Sequence, residues 1–199
     1  MSRNQEILSV ARQIVATHGM EGLTTKTLSR AIGVSEGALY RHFGSKRDIL
    51  VGLIDEIEET LFQTLEEAQE KGGSPLEKLE RMLRSHISYT ERRRGVSFIV
   101  ISEVLLNGDS QLRQRMRAVI ERYLRMVEAL VVEGIGAGEI NPAINGDAAA
   151  LVFFGIVQAT VTLRHFAETE LPTSGRFESL WHVFTQGVGA GQMSPFSGG

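Results

Sequence analysis

Thr25-Lys26-Thr27-Leu28-Ser29-Arg30-Ala31-Ile32-Gly33-Val34-Ser35-Glu36-Gly37-Ala38-Leu39-Tyr40-Arg41-His42-Phe43 is the stretch whose reading decides the fold. Two short helical patterns meet in it at Gly33, a residue that accepts positive φ and so turns the chain tightly. Leu28, Ile32, Val34 and Leu39 fall in the wedge between the two helices, and Ser29 and Ala38 are small where they approach. Thr24 or Thr25 can cap the first helix with a side-chain oxygen, and Ser35 the second. Small, apolar and glycine residues at these offsets predict a helix-turn-helix, a pattern that an unrelated αα-hairpin can imitate.

Upstream, Ile7, Ala11, Ile14, Val15 and His18 recur at helical spacing, and Gly19 marks the expected end of that helix. Downstream, Ser45-Lys46-Arg47-Asp48 reads as a capping box opening a long helix over 46–71. Its stripe of Leu50, Leu53, Ile54, Ile57, Leu61, Leu65 and Ala68 runs to the break at Gly72-Gly73-Ser74-Pro75. Pro75 can open the next helix at its first turn. Val96 to Leu106 is apolar and β-branched, so periodicity alone does not separate strand from helix. No other segment offers a strand to pair with it, and helix is the consistent reading. Further helices are expected over 112–130, over about 147–168 and over about 175–188. The class is all-α: an N-terminal three-helix domain over 1–45, a larger helical domain over 46–188 and a Gly/Ser-rich tail, 189–199, expected to be disordered.

Composition narrows the function classes. The chain has 199 residues, 42% hydrophobic and 23% charged, and no cysteine, which excludes disulfides and thiolate metal sites. No apolar run in the sequence reaches the ~20 residues of a membrane span, and the first residues lack the apolar stretch of a secretion signal. A cytoplasmic location and no membrane partner are the expectations. Residues 1–50 hold seven basic and four acidic side chains, net +3, whereas the remainder is net −6. A basic head on an acidic body suits a polyanion at one end. Gly134-Ile135-Gly136-Ala137-Gly138 lacks dinucleotide spacing, and the five histidines lack metal-ligand spacing. With no phosphate loop, nucleophile elbow or paired carboxylates, no enzyme, metal or cofactor is expected. Arg92-Arg93-Arg94 reads as a solvated helix end, with a second anion contact as the alternative.

Thr24-Thr25, Leu28 to Gly33, and Val34 to Lys46 together resemble the DNA-binding region of the tetracycline-repressor (TetR) family. The run Tyr40-x-His42-Phe43-x-x-Lys46 is its most specific part. The resemblance is close over roughly residues 5–55 and beyond that rests on the number and length of helices. It implies a DNA-binding domain at 1–45, a ligand-binding and dimerisation domain at 46–188, and a homodimeric repressor released from its operator by a small ligand. The second helix of the motif then lies in the major groove with its first turn nearest the bases. Ser35 and Glu36 become candidates for base edges, and Gly37 allows either close backbone approach or merely an undemanding first turn. Tyr40 and His42 can position the protein on phosphates; Arg41 faces groove or solvent. Lys46 and Arg47 oppose the macrodipole of their helix unless a phosphate docks there. Thr25 can reach a phosphate from the start of the preceding helix.

In the larger domain Met82, Phe98, Met116, Tyr123 and Met126 are adaptable or aromatic side chains that either line a ligand pocket or fill the core. The resemblance implies that the last two helices form a four-helix bundle with the partner's copies. Residues 153–166 are apolar nearly all round, which agrees, and Phe153, Val157, Val161, Phe177 and Phe184 are the expected interface. Gly155 and Ala159, four apart, suit close helix approach. The partners expected are a double-stranded palindromic operator, an apolar small-molecule effector and a second copy of the chain. A helical ligand-binding protein whose basic head contacts a protein is the competing reading.

Overall fold

The computed structural model describes residues 2–166 and 174–189; most of the tail, 190–199, lies outside them. Nine helices follow one another among the described residues: α1 (Arg3–Gly22), α2 (Thr25–Ile32), α3 (Glu36–Tyr40), α4 (Lys46–Glu70), α5 (Pro75–Arg92), α6 (Val96–Asn107), α7 (Ser110–Gly136), α8 (Gly146–Phe166) and α9 (Ser174–Val188). The only extended pairing among them is a single bridge between Ile140 and Gly189. The ambiguous apolar run at 96–106 is α6, opening after Gly95 in a left-handed conformation. Two boundaries differ from the sequence reading: α7 runs on past 130 to Gly136, and the stop expected at Gly19 is a kink. Gly19, with φ 65° and ψ −171°, kinks α1 without ending it, and one further turn runs to Gly22.

The chain divides into two compact units, residues 1–62 with 89–119, and residues 63–88 with 120–199. This division does not follow the boundary at 45: α4, α5 and α7 each supply residues to both units. In the first unit α1 packs on α2 and α6, and α2 on α3. Ile7, Ala11 and Val15 of α1, Leu28, Leu39, Leu53, Ile54 and Val100 are all buried there. Ion pairs tie its helices together: Arg47 to Asp109, and Arg115 to Asp55 and Glu58.

The second unit has an aromatic core. His86, Tyr123, Phe153 and Phe184 form a chain of ring contacts, with centroids 5.1, 6.5 and 5.5 Å apart, and Trp181 stacks on Phe184 at 5.6 Å. Ala149, Ala150, Phe153, Val157 and Val161 form the buried stripe of α8. Arg84 lies 3.8 Å over the Phe177 ring and pairs with Glu178, holding α9 to α5. By length and composition α8 is apolar enough to cross a bilayer, which the sequence reading did not anticipate. Its inward stripe nevertheless packs in this core, and its outward stripe forms one face with α9.

Candidate DNA interface

The helix-turn-helix is held by local bonds that the sequence specifies. Thr24 is the N-cap of α2: its hydroxyl accepts from the Thr27 amide at 3.1 Å, and the Thr27 hydroxyl accepts from the Thr24 amide at 3.0 Å. Thr25 is therefore the first helical residue and its own hydroxyl is released from capping. Gly33 closes α2 at φ 76°, where an L side chain is disfavoured, and the Val34 amide donates back to the Ser29 carbonyl at 3.0 Å. The Ser35 hydroxyl then accepts from the Ala38 amide at 3.1 Å, starting α3. A helix of five residues has little stability of its own. Leu39, 1% exposed, anchors it to the first unit's core.

Around that anchor the side chains divide as a reading surface requires. Ser35, Glu36, Gly37, Tyr40, Arg41 and His42 are all exposed; Thr25 is half-buried. Thr25 donates to a Glu36 carboxylate oxygen at 3.1 Å, tying the start of α2 to the start of α3. His42 Nδ1 lies 2.9 Å from Asn4 Oδ1. A carbonyl oxygen only accepts, so in this bond Nδ1 is the donor and Nε2 is left for another partner. Asn4 escaped the sequence reading, because nothing in a 38-residue separation marks the pairing.

The two cations at the start of α4 have different roles. Lys46 is exposed and donates to the Met20 carbonyl near the end of α1 at 3.1 Å, leaving further N–H groups on its ammonium. Arg47 bonds to Asp109 and Gln111 across the unit, each at 2.5 Å. That bond, together with the Leu112 amide, holds the Asp109 carboxyl below its ordinary range. Lys46 thus stays with Tyr40 and Arg41 as an exposed positive group, whereas Arg47 is spent on structure. Of the expected capping box, the N-cap half is present: the Asp48 amide donates to the Ser45 hydroxyl at 3.2 Å.

The remaining sequence-predicted residues divide between the units. Met82 and Tyr123 are buried and Met126 half-buried in the second, whereas Met116 is buried and Phe98 half-buried in the first. Phe153, Val157, Val161, Phe177 and Phe184 are all buried in the second unit's own core. The exposed apolar residues of α8 and α9 are instead Leu151, Val152, Leu163, Phe166 and Val183, between 53 and 82% exposed. They flank two grooves of about 380 and 330 Å³ in which Val152, Gly155, Ile156, Ala159 and Leu163 recur at helical spacing on α8. A helix apolar all round has two stripes, and the α8 residues expected at the interface, Phe153, Val157 and Val161, lie on the inward one.

A capped helix-turn-helix that presents a short polar helix, in a chain that is otherwise helical among the described residues, has the form of a DNA-binding regulator of transcription. The comparisons agree. A model of bacterial regulatory proteins of the tetR family matches residues 7–53, and one of the YsiA-like C-terminal region matches residues 45–187. The chain belongs to the TetR family. The nucleoid occlusion factor SlmA of Shewanella woodyi is 30% identical over 194 residues, covering 94% of each chain. That of Aliivibrio fischeri is 34% identical over 122 residues, a match spanning 61% of this chain and 62% of the relative. The fatty acid metabolism regulator protein of Bacillus subtilis is 26% identical over 79% of this chain and 80% of its own length. Among solved structures, a TetR regulator from Chloroflexus aurantiacus superposes with a TM-score of 0.79 at 26% identity, covering 95% of this chain and 99% of that one. FadR from Bacillus subtilis in complex with stearoyl-CoA gives 0.79 at 24% identity, covering 93% and 99%.

Proposed function

We propose that the chain acts in the cytoplasm as a homodimeric, ligand-released repressor without enzymatic activity. Its working division is a DNA-binding domain at 1–45 and an effector and dimerisation domain at 46–188. The observation that carries this reading is the exposure of Ser35, Glu36, Gly37, Tyr40, Arg41 and His42 on a helix anchored from behind by Leu39. Ser35 and Glu36 read base edges from the first turn, and Gly37 lets the backbone come close. Thr25, Tyr40, His42 and Lys46 hold phosphates on either flank, with Arg41 beside them. The Thr25–Glu36 bond orients the glutamate before DNA arrives.

The second copy covers the outward face of α8 and α9, where Val152, Leu163 and Val183 leave a continuous apolar surface around Gly155. An added Cβ at Gly155 meets nothing within 4 Å in the single chain, so the gap is open to a partner helix. Phe153, Val157, Val161, Phe177 and Phe184 support that face from beneath. The effector is an apolar small molecule held by the second unit, with Met82, Tyr123 and Met126 as its candidate contacts. Its binding changes the separation of the two heads and lowers operator affinity. The similarity to a fatty acid metabolism regulator, and to a structure holding stearoyl-CoA, favours a long-chain acyl group.

Selection of binding sites from random duplexes by the full-length protein tests this. The expected product is an inverted repeat whose half-sites lie about one helical turn, or a multiple of it, apart. Recovery of no common sequence, or binding that hardly changes with salt, refutes the assigned interface.

A further inference from the structure

We infer that the recess between α1 and the α5–α6 turn binds the phosphates of a small molecule carrying a diphosphate. This recess is separate from the α3 surface and from the apolar effector. Its volume is about 210 Å³, and Arg12, Gln13 and Thr17 of α1 face Arg92, Arg93 and Arg94 across it. Four guanidinium groups therefore line a space several times the ~30 Å³ share of one water. A duplex strand is too large for it.

The charge inside is unbalanced. Arg12 Nε at 3.2 Å and Arg93 Nη1 at 3.0 Å converge on the same carboxylate oxygen of Glu56. Arg12 Nε and the other Glu56 oxygen are buried and take no hydrogen bond. One carboxylate thus faces two recessed arginines, and Arg94 stands exposed at the rim; Arg92, also exposed there, is left out of this balance. The Arg93 guanidinium also lies 5.0 Å over the Tyr89 ring, so its position is set before any ligand enters.

The backbone is shaped to bring the rim arginines there. Arg94 has φ 51°, the one left-handed residue other than glycine among the described residues, and Gly95 follows at φ 66°. A cation in the last turn of α5 favours the helix dipole, which explains Arg92 without any ligand. Arg94 lies beyond the helix end as the left-handed residue of a Schellman cap, its amide donating to the Glu91 carbonyl at 3.0 Å and that of Gly95 to the Thr90 carbonyl at 2.8 Å, so helix ending explains its backbone but not the choice of arginine where glycine is usual. Forked guanidinium groups approaching from two sides match phosphate oxygens, with several acceptors in tetrahedral array, better than a planar carboxylate. Duplex backbone is gripped by projecting side chains, whereas Arg12 and Arg93 are recessed with 28 and 15% of their side chains exposed. A bound diphosphate would bridge α1, which carries the Asn4 contact to His42, and the turn that starts α6.

Titration calorimetry on the full-length protein at constant ionic strength tests the site, with pyrophosphate, ADP and coenzyme A as probes and sulfate as control. Saturable pyrophosphate binding is expected, weakened at least about tenfold in Arg92→Gln/Arg94→Gln and measurably in Arg94→Gln, and unchanged in Arg125→Gln on α7. Tighter binding of ADP or coenzyme A than of pyrophosphate would assign the diphosphate to a nucleotide-bearing ligand. Equal binding would leave the shared phosphate chemistry as the whole of the recognition. Absence of saturable binding of all three probes, or equal pyrophosphate binding by the double variant, overturns the inference. So does a double variant that loses affinity for all duplexes and lowers the salt slope while binding pyrophosphate as before, because the arginines are then backbone contacts. Calorimetry is done without DNA, so failure of the repressor reading and failure of this site give different results.

Discussion

His86 makes the second unit sensitive to acid, and the size of the effect follows from its surroundings. The ring is 4% exposed, its Nδ1 is 3.1 Å from the Tyr123 hydroxyl, and the two rings are 5.1 Å apart. Burial pushes its pKa down to about 3 from an ordinary 6.5, and burial pushes the Tyr123 hydroxyl up. The folded protein therefore keeps His86 neutral at pH values where the unfolded chain binds a proton. Stability from this group is fully present above pH 6.5 and is lost as pH falls toward 3. Between pH 7 and pH 5 the unfolded histidine gains about 0.7 of a proton and the folded one almost none. The loss is about 2 kcal/mol, from 1.36 kcal/mol per pH unit across the window below 6.5. Urea unfolding of the wild type and of His86→Gln at several pH values measures it, each series referred to its own pH 7 value. The carboxylates and the four other histidines contribute to both series. The wild type should lose about 2 kcal/mol more than the variant by pH 5. A proton NMR titration gives an independent check, with the His86 ring signal flat down to pH 5. Parallel stability curves, or a His86 signal with its midpoint near 6.5, would show that the ring charges freely and is not buried as described.

Three further sets of substitutions separate the roles assigned above. Ser35→Ala removes the acceptor of the Ala38 amide and should destabilise the head by about 1 kcal/mol, read as weaker binding to every duplex together with a relaxed preference at the base Ser35 contacts, and with little change in dimer mass. Glu36→Gln should change which sequences are selected, whereas Tyr40→Phe and Lys46→Gln should weaken all of them alike and, for Lys46, lower the salt slope by about one. Val152→Arg and Val183→Arg should yield folded monomers by light scattering; Phe153→Ala should instead cost about 3–5 kcal/mol of stability while the residual folded protein keeps its stoichiometry. If the Phe153 variant dissociates and the Val183 variant does not, the inward stripe is the interface after all.

The reading head was legible because each of its determinants is local. Thr24, Gly33, Ser35 and Ser45 act within three or four residues of themselves, and Leu28 and Leu39 show their inward phase directly. The pairings across the fold were not legible for the same reason. Asn4 with His42, Arg47 with Asp109 and Lys46 with the Met20 carbonyl join residues 26 to 62 positions apart, and no periodicity carries that information. Arg47 illustrates the consequence: two adjacent cations open one helix, yet a distant aspartate assigns one of them to structure. Gly19 failed differently. A lone glycine signals both a stop and a kink, and only the helical turn that follows, 20–22, decides between them.

In α8 the limit is one of phase. Residues 149, 150, 153, 157 and 161 repeat at helical spacing, and so do 152, 155, 156, 159 and 163. Both stripes are apolar, so amphipathicity, the signal that ordinarily assigns an inside and an outside, is absent. The discriminating features are sizes. The inward stripe carries Phe153 against Tyr123 and Phe184, bulk that fills a core built from one chain. The outward stripe has Gly155 and Ala159 at its centre, with open space above the glycine, where a single chain gains nothing from smallness. A small-residue seam bordered by Val152 and Leu163 makes physical sense only if another helix is brought close to it. In the proposed dimer, burial within one chain and self-association draw on the same helix from opposite sides, and a substitution acts on one or the other according to its phase.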